Sequence, residues 1–327
     1  MSSPPLVAAR PIPAALRRIR PPVSWRYLAS RAATGLLAVW GAATLVFFAL
    51  YSTNNPAILL VAPDAPPEEI VRLTALYGFD QPLPVQYGRF LASVVAGDFP
   101  DSIRYGGDPV AVALGRLPAS LALGGLSLLI GVVVGAVIGY VAATARSAAA
   151  RRVPLAVATA LDAIPTFFFG VLAILVFAVW LGWVPATASA GPAGIVLPAL
   201  TLSVAFIPAV ARVFRTALVD VLQADHVRTA RAKGLPERVI VLRHVVGNAL
   251  GTTLNVVGIQ AGVLLGGAVV TESVFGWPGI GQLSISAVQN LDYPLVIVCV
   301  LVIAIGFVVI NLAVDIVAAL LEPRLRS

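Results

Sequence analysis

The sequence predicts an all-α membrane protein with six transmembrane helices and with both chain ends in the cytosol. The first observation is the composition, since 59% of the residues are hydrophobic, only 11% are charged and the mean hydropathy is +0.95. Such a chain is too apolar for a water-soluble domain. The second observation is a series of apolar blocks, each long enough to cross a hydrocarbon core of about 30 Å. The third is the placement of the basic residues.

Basic residues concentrate on one side of the predicted membrane. If the N-terminus is cytosolic, the inner segments hold all of the 22 Lys and Arg residues except Arg72, Arg89, Arg104 and Arg116. Cytosolic loops of membrane proteins carry such an excess of positive charge, which fixes this orientation. The net charge of +7 therefore reflects membrane topology, and no nucleic-acid partner is expected.

The first third of the chain divides into three parts. Residues 1–25 predict a disordered cytosolic tail rich in Pro and Arg, because repeated prolines interrupt a helix. Residues 26–51 predict the first transmembrane helix. Its apolar run is too long for a typical signal peptide and no small-x-small cleavage site follows it, so we expect an uncleaved anchor. Residues 52–110 are polar and turn-rich, and predict an extracytoplasmic segment of short helices.

Residues 111–327 predict a core of five further spans. Their apolar blocks cover 117–144, 153–184, 195–222, 254–271 and 295–321. A kink is expected at Pro165, because proline removes a helical hydrogen bond. Residues 272–294 are too polar to span and predict a re-entrant segment at the outer face. Two blocks carry glycines at four-residue spacing, which opens a helix face for close contact; these are Gly131, Gly135, Gly139, Gly258, Gly262 and Gly266.

Catalytic and metal-binding motifs are absent from the sequence. It contains no phosphate-binding loop, nucleophile elbow or zinc-protease motif, and two His with one Cys do not make a Cys/His metal cluster. We therefore expect a non-catalytic chain without a cofactor. Asp162 and Asp315 lie deep in apolar blocks and are functional candidates by default. Our interpretation is that Asp162 accepts N–H groups released at Pro165 and that Asp315 pairs with water or Arg324; a proton relay is the alternative.

A basic stretch at 225–238 separates the fourth and fifth blocks. Gly234 stands where a left-handed helix cap belongs, and Pro236 with Glu237 favours the start of a second helix. A DNA-binding helix-turn-helix is disfavoured, because the loop is tied to the membrane at both ends. A merely solvated loop is a second alternative. A docking surface is favoured, because apolar residues alternate with the charges and small Ala230 and Gly234 permit close approach.

Residues 225–235 read Asp-His-Val-Arg-Thr-Ala-Arg-Ala-Lys-Gly-Leu. This segment resembles the coupling motif of ABC-transporter permease subunits of the dipeptide/oligopeptide (nickel) import family, first-permease type, with His226 where that family commonly has tyrosine. The sequence departs from the family at 53–56 and 99–101, both outside the membrane. Other segments also resemble that family, and they occur in the same order along the chain as in the family. They lie at 26–31, 77–87, 116–121, 161–167, 197–200, 271–281 and 314–326.

The resemblance implies a type I ABC importer permease core in the bacterial cell membrane. It also implies a heterodimer with a second homologous permease, two cytosolic ABC ATPase subunits that hold ATP and Mg²⁺, and an extracytoplasmic substrate-binding protein. The expected cargo is a peptide. Nickel, glutathione or another small solute is the alternative within the family, and a self-sufficient secondary transporter or channel is the alternative outside it.

The resemblance also implies functional residues. Coupling helices at about 212–246 are expected to sit in a cleft of the ATPase. The expected coupling residues are Asp225, Arg228, Thr229, Ala230, Ala232, Gly234 and Leu235. Polar candidates for the translocation path are Thr166, Gln260 and Thr271, and candidates for the outer gate or receptor contact are Phe275, Trp277 and Pro278.

Overall fold

The computed structural model describes residues 25–51, 57–58, 61, 65–77, 79–187 and 193–321. Throughout these ranges the regular structure is helical and no strand occurs. The predicted tail up to residue 24 and Arg324 lie outside the described residues. The predicted all-α architecture is confirmed.

Three helices are long and apolar enough to cross a membrane without interruption: α1 (Trp25–Tyr51), α4 (Pro109–Thr144) and α13 (Tyr293–Leu321). Helix α4 begins eight residues earlier than its predicted apolar block at 117. The reason is the cap, because the Asp108 carboxylate accepts hydrogen bonds from the first turn of the helix.

Three further spans are bent helix pairs, so that six spans result when each pair counts as one. The pair at the predicted Pro165 kink bends most, by 101°. In that pair the second helix ends in a π-helical turn, Ile174–Trp180. The pairs are α5 (Ala148–Asp162) with α6 (Thr166–Ala173), α7 (Val196–Ser203) with α8 (Ile207–Leu222) at 57°, and the two halves of α11 (Val246–Phe275) at 60°.

Short helices lie at the two ends of the bundle. The outer ones are α2 (Pro67–Tyr77), α3 (Leu83–Ala96) and α12 (Ile280–Gln289), and the cytosolic ones are α9 (Asp225–Ala232) and α10 (Glu237–Val239). Helix α3 packs on α1, where the Tyr87 hydroxyl lies 2.7 Å from the Thr44 hydroxyl. The polar outer segment is thereby attached to the first span.

The glycine strip of α4 produces a close contact with α8. A methyl group at Gly135 would lie 2.8 Å from Val210 Cβ, and one at Gly139 would lie 2.8 Å from the Ala211 carbonyl oxygen. Helices α4 and α8 can approach this closely only because those side chains are absent. In α11 the predicted strip is shorter, since Gly258 and Gly262 face α13 but Gly266 has no neighbour within 4 Å.

The two acids inside apolar blocks lie in different surroundings. Arg324, which we expected near Asp315, lies outside the described residues, so that interpretation stays a prediction. Asp315 pairs with Arg31 of α1, with 2.9 Å between Oδ2 and Nε, because α1 packs along α13. Asp162 is exposed at the end of α5, and no described N–H group donates to its carboxylate. Our interpretation of Asp162 was wrong, because N–H groups at the break donate to backbone carbonyls: those of Ala163 and Ile164 bond to the preceding turn.

Candidate functional site

The turn after α9 is a Schellman motif centred on Gly234. Gly234 has φ of +74°, its N–H donates to the Arg231 carbonyl at 2.9 Å, and the Leu235 N–H donates to the Ala230 carbonyl at 3.3 Å. These two bonds close the end of α9 and reverse the chain direction. The left-handed backbone conformation costs little free energy only when the residue is glycine. The predicted cap is confirmed.

A two-bond ion pair spans this turn. Arg231 Nε donates to Glu237 Oε2 at 3.1 Å, and Arg231 Nη2 donates to Glu237 Oε1 at 2.6 Å. The hydrogen bond raises the pKa of Arg231 and lowers the pKa of Glu237, so both groups are charged at neutral pH. Because Arg231 lies in the last turn of α9 and Glu237 begins α10, the pair links these two helices across the turn. We call α9, this turn and α10 the coupling turn.

The inner face of the coupling turn packs on its own chain. Val227 is fully buried and Ala230 nearly so, in a cluster with Phe214, Leu218 and Ile240. Ala230 therefore contacts this chain, so the idea that its small side chain admits a partner does not fit the geometry. The other predicted coupling residues are exposed: Asp225, Arg228, Thr229, Ala232, Gly234 and Leu235.

The coupling turn continues directly into the fifth span. After α10 comes a π-helical turn, Ile240–Val245, and the backbone stays helical at both junctions, with φ and ψ of −57° and −52° at Ile240 and −59° and −47° at Val246. Helical chain thus extends from Glu237 to Phe275. A displacement of the coupling turn is transmitted to α11 without an intervening loop.

A buried carboxylate organises the outer end of the bundle. Glu272 is 1% exposed and accepts hydrogen bonds from the Ser120 hydroxyl at 2.6 Å, the Gly281 N–H at 2.8 Å and the Gln282 N–H at 3.1 Å. The Ser120 hydroxyl in turn accepts the Ile280 N–H at 2.9 Å. Three N–H groups at the start of α12 are thereby satisfied by side chains of α4 and α11.

A second buried carboxylate joins the next turn to the outer loop. Asp292 is inaccessible and accepts hydrogen bonds from the Ser102 hydroxyl at 2.5 Å, the Arg104 N–H at 3.0 Å and the Leu295 N–H at 3.4 Å. It connects the turn between α12 and α13 to the loop before α4. We call α12 and these two carboxylate clusters the outer cap.

The predicted outer-gate residues have different positions within the outer cap. Phe275 is 1% exposed and packs against Gly170 of α6. Trp277 is half-buried and its indole N–H donates to the Ala119 carbonyl at 2.9 Å. Only Pro278 is exposed.

Glu272 and Asp292 did not emerge as functional candidates from the sequence, although a signal was available. Glu272 stands alone at the end of an apolar block, and a Gly-Trp-Pro-Gly turn and a new helix follow within ten residues. The N-cap of that helix is Gly279, which has no side chain to cap it. An acid placed before a helix without a capping side chain is a candidate for supplying the missing acceptor.

The three predicted pathway residues do not form one cluster in this conformation. Thr166 begins α6, while Gln260 and Thr271 are both on α11, about 16 Å apart along the path of the bent helix at a rise of 1.5 Å per residue. Thr271 is 1% exposed, and its hydroxyl has no hydrogen-bond partner within the described part of the chain. The polar candidates therefore mark different depths of the bundle.

Residues 135–327 match the family described as the binding-protein-dependent transport system inner membrane component. The chain belongs to this family. It is 37% identical over 285 residues to the glutathione transport system permease protein GsiC of Salmonella paratyphi A, covering 87% of this chain and 93% of that protein. It is 35% identical over 273 residues to GsiC of Escherichia coli K12, covering 84% and 89%.

Solved structures share the fold. A structure of the MetNI methionine ABC transporter in an inward-facing conformation matches with a TM-score of 0.53 and 21% identity, over 64% of this chain and 96% of that one. A second crystal form of MetNI matches with a TM-score of 0.51. The chain is thus a membrane permease subunit of an ABC importer, with the type I permease fold, and it resides in the inner membrane. Membership of the family implies a permease partner, an ATPase and a binding protein.

Proposed function

We propose that this permease forms one half of the translocation pathway of an ATP-driven peptide importer. Its partners are a second homologous permease, two cytosolic ATPase subunits that bind ATP and Mg²⁺, and an extracytoplasmic binding protein. The permease itself binds no cofactor and hydrolyses no ATP. The coupling turn is its contact with an ATPase subunit.

The observation that carries this proposal is the helical chain from Glu237 to Phe275, which bends by 60° within α11 but is not interrupted by a loop. An ATPase that grips the exposed face of the coupling turn acts on one end of this chain, and the outer cap is built on the other end through Glu272. On the inner side, Val227 joins α9 to α8 by apolar packing. Movement of the coupling turn therefore displaces two membrane helices together.

ATP-driven closure of the ATPases supplies the difference in binding free energy that such a switch requires. Exposed Arg228, Thr229 and Leu235 would contact the ATPase, while the ion pair between Arg231 and Glu237 keeps the turn in shape. Alternate opening toward the cytosol and toward the outside follows from rotation of the spans. Thr166, Gln260 and Thr271 remain our candidates for the wall of the path.

Peptides are the proposed cargo, and glutathione is the second candidate. Both are small molecules with amide bonds, an ammonium group and at least one carboxylate, so one path suits both. The glutathione candidate is favoured by the identity of 35–37% to permeases named for glutathione transport. Uptake of a labelled dipeptide, of labelled glutathione and of Ni²⁺ by the complete transporter, each measured separately, distinguishes these substrates. Uptake of glutathione without uptake of the dipeptide would overturn the peptide assignment.

Substitution of Gly234 tests the coupling role. Gly234→Leu forces a side chain into the left-handed region, which costs about 1–2 kcal/mol and deforms the turn. We expect import to be lost while the protein still inserts, as measured by substrate uptake and by the amount of protein in the membrane. The matched control is Gly97→Leu, because Gly97 is a left-handed cap of α3 with φ of +70° and, like Gly234, has no neighbour within 4 Å of an added Cβ.

The two variants share the backbone cost and differ only in position. Normal uptake in Gly234→Leu, or equal loss of uptake in both variants, would contradict a specific coupling role. The purified permease alone should also show no ATP hydrolysis. Turnover that copurifies with this chain and disappears when the chain is removed would contradict the subunit assignment.

A further inference from the structure

A cleft of about 330 Å³, with a mostly apolar lining and one polar end, lies between α1, α11 and α13, away from both the coupling turn and the outer cap. Its volume is at the lower end of the range of small-molecule sites. At one end it is lined by an ion pair, Arg31 with Asp315, and by Asn255. The residues that line this cleft belong neither to the proposed translocation path nor to the proposed ATPase contact.

The cleft is amphiphilic along the membrane normal. On α1, Arg31 precedes Ala38 by about 10 Å of helix, and on α13, Phe307 precedes Asp315 by about 12 Å. Because α1 runs outward and α13 runs inward, the two charged groups meet at the cytosolic end while Ala38 and Phe307 line the deeper part. A polar headgroup with an apolar chain above it matches this order.

The charges at the cytosolic end favour a zwitterionic headgroup over an anionic one. Arg31 and Asp315 are 48% and 22% exposed, so both can be reached, and together they carry no net charge. A guanidinium has five N–H donors and can bind a phosphate oxygen while it keeps its contact with Asp315. An additional negative charge with no cation of its own would instead be repelled by Asp315.

Acceptors for a primary ammonium group surround the same end. Thr34 and Asn311 donate to backbone carbonyls of their own helices, at 2.9 Å and 2.8 Å, which leaves their side-chain oxygens as acceptors. Asp315 adds a carboxylate. Three acceptors fit the three N–H donors of a primary ammonium, whereas a quaternary ammonium has no N–H group.

We propose that this cleft binds a phosphatidylethanolamine headgroup of the cytosolic leaflet, with the phosphate on Arg31 and the ammonium on Asp315 and Asn311. The bound lipid fills the space between the first span and the core, and it tethers α1 to α11 and α13. This site is independent of the transported substrate.

Native mass spectrometry of the delipidated full-length chain tests the proposal with three lipids that share the same acyl chains. We expect phosphatidylethanolamine to be retained roughly fivefold better than phosphatidylcholine, because its ammonium gains net hydrogen bonds. Phosphatidylglycerol should be retained no better than phosphatidylcholine. Equal retention of all three lipids, or a preference for phosphatidylglycerol, overturns the proposal.

Variants locate the site. Thr34→Leu fills the cleft from an exposed position of α1 and leaves the ion pair intact, so it should abolish the preference without unfolding the chain. The double variant Arg31→Gln/Asp315→Asn should do the same by removing both charges. Arg151→Gln, at an exposed site on α5 outside the cleft, should keep the preference.

An unchanged preference in Thr34→Leu overturns the proposal. The assembled importer provides the last comparison, because a second permease subunit is the other possible occupant of this face. Retention of the preference in the complete transporter supports the lipid site. Its loss there, with retention in the isolated chain, identifies the cleft as a protein interface and rejects the lipid.

Discussion

The outer cap and the coupling turn use charged residues in opposite ways. In the outer cap the carboxylates of Glu272 and Asp292 are buried, and each accepts three hydrogen bonds from neighbouring segments. In the coupling turn the ion pair of Arg231 and Glu237 is exposed, with side-chain exposures of 44% and 59%. The outer end is thus held together by buried hydrogen bonds, whereas the charged groups of the cytosolic end lie at the surface.

Removal of Glu272 should have the largest effect on stability. Glu272→Ala leaves the buried Gly281 N–H and the partly buried Gln282 N–H without their acceptor, which should lower the free energy of unfolding by about 3 kcal/mol. Thermal unfolding in detergent measures the loss. The control is Glu68→Ala on α2, where the side chain is exposed and the expected change is negligible. Equal stability of the two variants would show that the cap is not held by this carboxylate.

Removal of Asp292 should have a smaller effect. Asp292→Ala deprives the Ser102 hydroxyl and the Arg104 N–H of their acceptor, and we expect a loss of about 2 kcal/mol. Asp292→Asn keeps one acceptor oxygen and should lose about half of that. Limited proteolysis in the loop at 98–108 should accelerate in the same order. If Asn and Ala behave alike, the hydrogen bonds are not the source of the stability.

The exposed ion pair should have the smallest effect and a defined pH dependence. Glu237→Gln should cost about 0.5 kcal/mol, as is usual for surface pairs. Because the pKa of Glu237 is lowered in the folded chain, its contribution is present above the ordinary value of 4.5 and is lost as the pH falls through the folded value. Unfolding temperatures of the two proteins should differ near neutral pH and converge in acid. A difference in unfolding temperature that grows in acid would contradict this account.

Sequence periodicity and charge placement predicted the parts of the fold that depend on local chemistry. The apolar blocks, the break at Pro165 and the left-handed cap at Gly234 all follow from properties of single residues or of short windows. The six spans and their orientation required only the positive-inside rule and block length.

The sequence did not predict contacts between segments that are distant in the chain. Glu272 meets Ser120 across 152 residues, and Asp315 meets Arg31 across 284. Such pairings depend on which helices become neighbours, and hydrophobic periodicity contains no information about that. Ala230 shows the same limit, because its pattern predicted an apolar face but not that its own chain covers that face.

Cross-linking at the coupling turn tests most directly whether this region is the ATPase contact. Cys299 is the chain's single cysteine and is buried, so an added cysteine is the only reactive one of this subunit. In the assembled importer, Leu235→Cys should form an adduct with an ATPase subunit, and Pro278→Cys in the outer cap should not. An adduct with the ATPase from Pro278→Cys, or none from Leu235→Cys in an importer that still transports, would contradict the account.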